Sequence, residues 1–388
     1  MTKSAIAFSE NTATIAAVHE LEEQIKTKMI DLVPNVIILF ASPAYNYSEV
    51  LQELTAAFSS SIIVGSSSAG EFTSKKNSHN SISAVAIYSD EMSFSVGLAE
   101  GIQNSREQVA NELLQALQGI DNYRYRYHTA LIFADALSGY TDELVELLTE
   151  KTTGMYQFFG GGAGDNANFK NTYVFCNGVA AKDAAVILEI LSNKPLGIGI
   201  GHGWKPNGEK MKVTEADGLR LISLNAIPAA EVIESFAKRT NQVYDPQNPV
   251  PFFLNNVLGF EVNGSYKLRC PLVVMDDGSV ILASDIPAGA SVHFMTSDSN
   301  ATKEAAVLAT QSALDLLDNH VPSVALFFDC VATRLRLGSE FSFELDKVQE
   351  VLKDTNYIGC NTYGQVARIT GQFSGFQNCN AVVCIIPE

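Results

Sequence analysis

Four side chains in the C-terminal part of this chain could together hold a small anionic ligand. Arg334 could neutralise the charge of such a ligand, and Asn361 and Tyr363 could add hydrogen bonds to it. Cys330 ends an apolar stretch that has the composition of a buried strand. We expect these four side chains to line the same opening at one end of the fold and to contribute to ligand binding there.

A run of small residues offers a second set of groups for a ligand. Its hydroxyl groups and backbone N–H groups suit a carboxylate, although a tight turn filled by small residues is the structural alternative. A hydrolase nucleophile elbow would need Gly-x-Ser-x-Gly between a strand and a helix, whereas a polar segment and a strand follow this run. The candidate ligand-binding residues are Gly65, Ser66, Ser67, Ser68 and Gly70.

A glycine-rich segment with an acidic end resembles a nucleotide-binding loop only superficially. Neither G-x-G-x-x-G nor the Walker A pattern can be placed on it, and no helix is predicted after it. Approach of a ligand to the bare backbone and a purely structural turn both remain open. The candidates in this segment are Gly160, Gly161, Gly162 and Asp165. The preceding segment adds Asp135 and Tyr140. Asp135 holds the position in copy two that Cys330 holds in copy three.

His202 lies among glycines at the end of a predicted strand, with Trp204 on the same face. A neutral imidazole in that setting could coordinate haem iron, and the glycines could leave space for a flat macrocycle. His293, in an apolar strand, is the competing ligand. A histidine that is simply hydrogen-bonded at a strand end is the structural alternative.

An enzyme is the other functional class that these residues allow. Cys330, Cys360 or Ser68 could act as a nucleophile on a small metabolite. A reactive thiol needs a base or a cation nearby, and Arg334 alone gives only weak support for a reactive thiol. The sequence contains no His-x-x-x-His, His-Glu-x-x-His or clustered Cys/His pattern typical of a metal site.

These residues lie on a unit that repeats three times: a helix, a strand, a second helix, a second strand, a loop of small residues and a further strand. Repeated units usually pack against one another, so their equivalent loops should gather at one end. The repeat predicts an α/β fold whose mixed sheets are flanked by helices. The copies have first helices near 13–28, 104–118 and 301–317, and first strands at 34–40, 130–133 and 324–328. Their second strands, each with its loop of small residues, are at 62–70, 158–165 and 357–364.

The first two copies each continue into a strand with alternating glycines, at 95–101 and 197–203. Such glycines let another backbone or a flat ligand approach closely. Because the connection from the preceding strand is short, we expect the two strands to be antiparallel neighbours. We place a module boundary after residue 225, so that 1–225 holds copies one and two, and 226–388 holds a β-rich insertion and copy three.

Composition excludes several classes of function. The formal net charge of −17 argues against a nucleic-acid partner, which would require clustered Lys and Arg. No apolar run approaches the ~20 residues that a membrane span requires. The six cysteines are scattered and form no Cys-x-x-Cys pair, which favours reduced thiols and a cytoplasmic location.

Several motifs, taken in order, resemble those of FIST-domain sensory proteins. In the first module they are Val64-Gly-Ser-Ser-Ser-Ala-Gly-Glu71, Gly160-Gly-Gly-Ala-Gly-Asp165, Gly201-His-Gly-Trp204 and Val213-Thr-Glu-Ala-Asp-Gly218. In the second they are Ala226-Ile-Pro-Ala-Ala-Glu-Val232, Ser284-Asp-Ile-Pro-Ala-Gly289, Asp329-Cys-Val-Ala-Thr-Arg334 and Gly359-Cys-Asn-Thr-Tyr-Gly-Gln-Val366. The likeness covers the chain from about residue 25 to its end, with FIST N-like and FIST C-like modules.

The resemblance implies a sensor of a small ligand. Some family members bind haem and sense nitric oxide, which for this chain implies haem at His202, and an amino-acid-type sensor without haem is the alternative. Such members signal through a separate histidine kinase or cyclic-di-GMP enzyme, and we expect the output of this chain to be another protein. One departure is Gln365, where the family motif carries Glu, so a role for that carboxylate is in doubt.

Overall fold

The computed structural model describes residues 1–120, 122, 124–262, 264–368 and 374–388. Within those residues the strands form three six-stranded sheets and one eight-stranded sheet. The predicted α/β class with mixed sheets flanked by helices is therefore confirmed. The helices are α1 Thr14–Met29, α2 Tyr47–Ala57, α3 Arg106–Gln115, α4 Thr141–Lys151, α5 Ala229–Arg239, α6 Val250–Phe253, α7 Ser299–Asp315, α8 Val331–Leu337 and α9 Phe341–Leu352.

Polar side chains define where several helices begin. Asn46, Ser105 and Asp298 precede α2, α3 and α7, and each accepts a hydrogen bond from a backbone N–H group of the first turn. Such caps satisfy donors that a helix leaves unpaired at its N-terminus. The apolar faces of these helices then pack onto the sheets.

The strands of the six-stranded sheets lie side by side in an order that differs from their order along the chain. Sheet one consists of β1 Thr2–Ser9, β6 Ile82–Ser89, β2 Val36–Ala41, β3 Ile62–Ser67, β10 Val174–Cys176 and β11 Val179–Ala181. Sheet two consists of β25 Ser374–Gln377, β24 Gln365–Arg368, β9 Gln157–Gly162, β8 Tyr127–Ala134, β12 Ala184–Ser192 and β7 Ser93–Glu100. Sheet three consists of β13 Gly197–Gly201, β26 Ala381–Pro387, β22 Pro322–Cys330, β23 Tyr357–Thr362, β4 Glu71–Thr73 and β5 Asn77–Ser78.

All three of these sheets have a parallel pair at their centre, namely β2 with β3, β8 with β9, and β22 with β23. On their other side, β2, β8 and β22 pair with β6, β12 and β26, respectively, and these pairs are antiparallel. A helix connects the two parallel strands, as such a crossover requires.

Three phenylalanines, one from each sheet, meet in the core that the sheets share. The ring centroids of Phe40 and Phe133 are 5.8 Å apart, those of Phe40 and Phe328 are 5.9 Å apart, and those of Phe133 and Phe328 are 5.7 Å apart. All three contacts are edge-to-face, which is a favourable arrangement for aromatic rings. The inner faces of the three sheets thus close around one apolar core.

Short hairpins exchange between the sheets and were not predicted. The β4–β5 hairpin follows the first loop but adds to β23 of sheet three. The β10–β11 hairpin adds to β3 of sheet one, and β24 adds to β9 of sheet two. Each loop of small residues must therefore cross to a neighbouring sheet, which brings the three loops together.

The predicted pairing of the glycine-bearing strands is wrong. β7 pairs with β12 rather than with β6, and β13 pairs with β26 rather than with β12. A Cβ atom on Gly197, Gly199 or Gly201 would overlap a backbone carbonyl of α7. The glycines of β13 therefore accommodate a helix backbone, and the space proposed there for a flat ligand is filled.

The eight-stranded sheet, sheet four, contains strands from both sides of residue 225. A buried ion cluster links it to α4: the carboxylate of Asp142 accepts hydrogen bonds from Lys267 at 2.9 Å and from Arg269 at 2.5 Å. The strands are β18 Ser265–Arg269, β17 Val257–Val262, β21 Ser291–Thr296, β14 Lys205–Asp217, β15 Arg220–Leu224, β20 Val280–Leu282 and β19 Pro271–Val274, with β16 Ile227–Pro228 beside β15.

None of the helices in the described ranges is long and apolar enough to cross a membrane.

Candidate functional site

The three loops of small residues converge at one end of the core. Backbone hydrogen bonds connect them directly, so their positions depend on one another. These bonds run from Gly164 N to Ser67 O at 2.9 Å, from Ala69 N to Asn361 O at 2.9 Å and from Tyr363 N to Gly162 O at 3.0 Å.

Gly65 and Gly160, predicted to bind a ligand, are instead packing positions. A Cβ atom on Gly65 would overlap the carbonyl oxygen of Leu39, and one on Gly160 would overlap that of Ile132. Gly359 has the same relationship to Phe327 in sheet three. These glycines let neighbouring strands approach, and they leave no room for a ligand.

Gly161 and Gly162 are also covered by protein atoms. A Cβ atom on Gly161 would meet the side chain of Thr362, and one on Gly162 would meet Ala136 and Phe376. The structural alternative, a turn packed against neighbouring protein groups, therefore accounts for these two glycines.

The carboxylates of Asp135 and Asp165 are occupied by neighbouring protein groups. Asp165 accepts hydrogen bonds from the backbone N–H groups of Phe169, Lys170 and Asn171, at 2.8 to 2.9 Å, and from the hydroxyl of Tyr363. Asp135 accepts from the hydroxyl of Thr172 and from the N–H groups of Leu137 and Asp183. Through these contacts both carboxylates shape the loops.

Ser68 belongs to a buried network centred on Glu71. The Ser68 hydroxyl donates to this carboxyl group, and Ser81 donates to it through its hydroxyl at 2.6 Å and its backbone N–H at 3.2 Å. Burial raises the pKa of Glu71 to about 7, although these hydrogen bonds act in the opposite direction. A carboxyl group with a pKa in this range would exchange a proton near neutral pH.

Gln365 follows Gly364 as Glu71 follows Gly70. Its amide nitrogen donates to the Thr362 hydroxyl at 2.8 Å, and its amide oxygen accepts from the backbone N–H of Asn380 at 3.1 Å. The neutral amide is satisfied by the same kinds of partners that surround Glu71. Gln365 therefore has a complete structural role without a carboxylate.

Gly70, Arg334 and Asn361 form a corner that we call the Arg334 corner. The half-buried Arg334 lies against Gly70, whose φ is +135°. In the described part of the chain, Nη1 of Arg334 and both side-chain amide atoms of Asn361 are buried without a hydrogen-bond partner. Burial lowers the pKa of Arg334, while the nearby Glu71 and Tyr363 act in the opposite direction. Unpaired donors beside a cation are suited to an anionic ligand.

An apolar cavity lies beside this corner, and we call it the apolar cavity. Ala69, Val331 and Tyr363 pack together and connect the two features, because Ala69 precedes Gly70 whereas Val331 and Tyr363 line the cavity. Val331 lies one helical turn before Arg334 on α8. Other residues lining the cavity include Phe169, Phe253, Leu254, Cys270, Cys330 and Leu335.

The surroundings of the candidate nucleophiles favour their protonated forms. A hydrogen bond with Cys379, together with burial, raises the pKa of Cys330 well above the usual range of a thiol. Burial also raises the pKa of Cys360 well above the usual range of a thiol. Such thiols are poor nucleophiles. The hydroxyl of Ser68 donates its hydrogen bond to the Glu71 carboxyl group. The geometry does not favour the enzyme hypothesis.

Backbone groups engage the imidazole of His202. Its Nδ1 atom accepts a hydrogen bond from the Trp204 N–H at 3.3 Å, and a second backbone contact with Tyr266 also involves the ring. Burial lowers the pKa of His202. α7 fills the space on one side of the adjacent glycines, whereas a polar cleft that includes Tyr266 and Gln377 lies beside the imidazole.

Four other candidates lie outside the Arg334 corner and the apolar cavity. The ring of Tyr140 packs under the guanidinium of Arg106 at 4.4 Å, and that of Trp204 packs under Arg336 at 4.8 Å. Ser66 and Ser67 are buried, and the Ser67 hydroxyl accepts from the Tyr173 N–H at 2.9 Å.

Sequence reasoning missed Glu71 as a candidate and missed most of the lining of the apolar cavity. Glu71 could have been found by comparing copies, because it follows Gly70 as Gln365 follows Gly364. Phe169 and Cys270 carry no local signal, since their place in the cavity depends on tertiary packing.

Comparison with known proteins gives a match over most of the chain. A family model described as the FIST N domain matches residues 35–227, and one described as the FIST C domain matches residues 229–368. An uncharacterized protein of Methanocaldococcus jannaschii is 23% identical over 247 residues, which cover 58% of this chain and 47% of that protein. The chain thus spans about half the length of this curated relative.

A crystal structure of cyanuric acid hydrolase from A. caulinodans is also similar, at 8% identity and a TM-score of 0.29. The alignment covers 100% of this chain and 99% of that one. A likeness at this level carries no argument about activity.

Proposed function

Because this chain belongs to the FIST family, whose domains are associated with small-ligand sensing in signalling, we propose that it senses a small organic carboxylate. The carboxylate group binds at the Arg334 corner. The remainder of the ligand, an apolar side chain, enters the apolar cavity. Aliphatic amino acids have this chemistry.

The observation that carries this proposal is the unpaired state of the Arg334 corner. Among the described residues, Nη1 of Arg334 and the amide of Asn361 have no hydrogen-bond partner, although both are buried. Buried polar groups without partners are rare and costly in native proteins. A carboxylate would accept hydrogen bonds from both donors and would neutralise the guanidinium.

The apolar cavity supports the second half of the proposed ligand. Its walls are largely aliphatic, aromatic and thiol side chains, and residues of both FIST modules contribute to it, such as Phe169 and Leu254. Ligand pockets typically combine an apolar lining with a few convergent polar groups. A ligand seated there would contact both modules at once, which suits a sensor.

A haem-based nitric oxide sensor is the finer version of the family function, and the backbone contacts of the His202 ring with Trp204 and Tyr266 do not favour it. The proposed ligand is therefore a carboxylate without haem. We further propose that the output is a separate signalling protein, a histidine kinase or a cyclic-di-GMP enzyme, as in similar family members. The kinase activity of such a partner, measured with and without this protein and ligand, would test that coupling.

A thermal-shift panel tests the ligand class. The probes are L-leucine, L-isoleucine, L-valine, L-methionine and 4-methylpentanoate, which lacks the amino group. A ligand that binds the folded state alone raises the melting temperature. We expect at least one probe to raise it by a few degrees. No shift with any probe would contradict the proposed ligand class.

A further inference from the structure

Two carboxyl groups are buried together between β22 and α9. Asp329 is 1% exposed and Glu344 of α9 is 0% exposed. Asp329 directly follows Phe328, and the residues that follow Phe40 and Phe133 in the other sheets are Ala41 and Ala134, both in apolar clusters. Sheet three therefore buries acids where the other two sheets bury methyl groups.

Arg336 of α8 is the cation beside this pair. Its terminal nitrogens donate to the carbonyl of Ser297 at 3.0 Å and to the hydroxyl of Thr302. Within the described residues, Nε of Arg336, Oδ2 of Asp329 and both carboxyl oxygens of Glu344 are buried without a hydrogen-bond partner. Two acids and one cation thus lie in the same buried region with unused hydrogen-bonding capacity.

Charge neutrality indicates how many protons this cluster holds. A guanidinium group stays protonated in proteins, so Arg336 contributes one positive charge. Two ionised carboxylates would leave a buried net negative charge, which is costly. One carboxylate and one protonated carboxyl make the cluster neutral, and the protonated group can then donate a hydrogen bond.

We propose that Asp329 and Glu344 share one proton and act, through Arg336, as positioning residues for α8, the helix that also carries Arg334. The link to ligand binding rests on the proposed function, because Arg334 and Arg336 are both residues of this short helix, Val331–Leu337. A change in the charge of the acid pair would move Arg336 and with it the Arg334 corner.

Other charges near the pair do not remove the need for a proton. Burial raises the pKa of Asp329 and of Glu344, and each ionised group further disfavours ionisation of its neighbours. Lys303 of α7 forms an ion pair with Glu340, with 2.9 Å between Nζ and the carboxylate oxygen. The charged and titratable groups that face the cluster are Arg336 from α8, Lys303 and Asp298 from α7 and its cap, and the thiols of Cys330 and Cys379.

Infrared difference spectroscopy counts the proton directly, because only a protonated carboxyl group shows the C=O stretching band. In Glu344→Gln and in Asp329→Asn the remaining acid should ionise against Arg336, so each variant should lose one carboxyl band relative to the parent. In Arg336→Met the pair should gain a second proton and one further band. Glu71 contributes equally to every spectrum and cancels. No band lost in the amide variants, or none gained in Arg336→Met, would overturn the shared proton.

Trp204 reports whether the proton positions Arg336. It is the only tryptophan of the chain, and the guanidinium of Arg336 lies 4.8 Å from its ring. The parent should show a transition in Trp204 emission as the pH rises from neutral into the alkaline range and the pair loses its proton. Glu344→Gln and Asp329→Asn should lack this transition. The same transition in parent and variants, or none in the parent, would refute the positioning role.

Neither readout uses a ligand, so the two proposals can fail separately. If no carboxylate probe binds, the proposed function fails, whereas the infrared and emission results still decide whether the acid pair holds a proton and positions Arg336.

Discussion

A Cβ atom added to Gly70 would overlap Nη1 of Arg334, which lies directly against this glycine. The two residues come from opposite ends of the chain and meet because the β4–β5 hairpin crosses to sheet three. Gly70 therefore makes the space that the guanidinium occupies. Its φ of +135° is also a conformation that residues with a Cβ rarely adopt.

Gly70→Ala should displace Arg334 and weaken binding of any carboxylate found in the thermal-shift panel. It should also lower the free energy of unfolding by about 1–3 kcal/mol, because of backbone strain. Gly178→Ala is the matched control, since a Cβ there would meet nothing within 4 Å. Denaturant unfolding and calorimetric titration measure the two effects. Equal behaviour of the two variants would contradict this account of the corner.

Glu71 should make stability depend on pH. Its pKa is raised in the folded protein to about 7, so the folded state binds more protons than the unfolded state above the usual pKa of glutamate. The stabilisation is complete below that usual value, near 4.3, and is lost as the pH rises to about 7, by about 1.4 kcal/mol per pH unit.

Glu71→Gln should flatten this slope, because the amide cannot release a proton and an amide, Gln365, already follows Gly364 as Glu71 follows Gly70. Urea unfolding at several pH values between 4 and 8 measures the slope. A variant with the same pH dependence as the parent would show that Glu71 keeps an ordinary pKa.

Asp142→Asn should destabilise the protein strongly. Lys267 and Arg269 share this carboxylate, and the side chains of all three are almost fully buried. Removing one member of such a cluster leaves uncompensated charge and costs about 3–5 kcal/mol. Glu234→Gln, which removes an exposed pair with Lys238, should cost at most about 0.5 kcal/mol. Similar losses in the two variants would mean that the buried cluster does not hold α4 against sheet four.

His202 should not coordinate the iron of added haemin. The imidazole is engaged by backbone groups, and α7 fills the space over the neighbouring glycines. Absorption spectra of haemin mixed with the parent and with His202→Ala should therefore coincide. A Soret band that shifts in the parent and not in the variant would restore the haem hypothesis.

Periodicity in the sequence locates elements well but not their partners. The helix expected near 13–28 is found at Thr14–Met29, and that expected near 104–118 is found at Arg106–Gln115. Apolar spacing and capping residues are local patterns, so they can be recognised directly in the sequence. The hairpin β4–β5 is short and polar, and its partner strand β23 lies far along the sequence, so no local pattern indicates the exchange.

The same limit applies to the candidate site. Arg334, Asn361 and Tyr363 were predicted from residue type and from their positions after strands, and the structure brings them together with Gly70. The glycines at 65 and 160 were misjudged because a glycine beside a carbonyl and a glycine beside a ligand look alike in sequence. Whether a polar atom is left unpaired, as at Asn361, depends on every neighbour in three dimensions.

Calorimetric titration of the strongest probe of the panel into the parent, Arg334→Met and Arg239→Met tests the central claim most directly. Methionine keeps the apolar stem of arginine and removes the charge, and the exposed Arg239 of α5 serves as the control. We predict that Arg334→Met binds at least about tenfold more weakly and that Arg239→Met binds like the parent. Equal affinity for all three proteins would contradict a carboxylate site at the Arg334 corner.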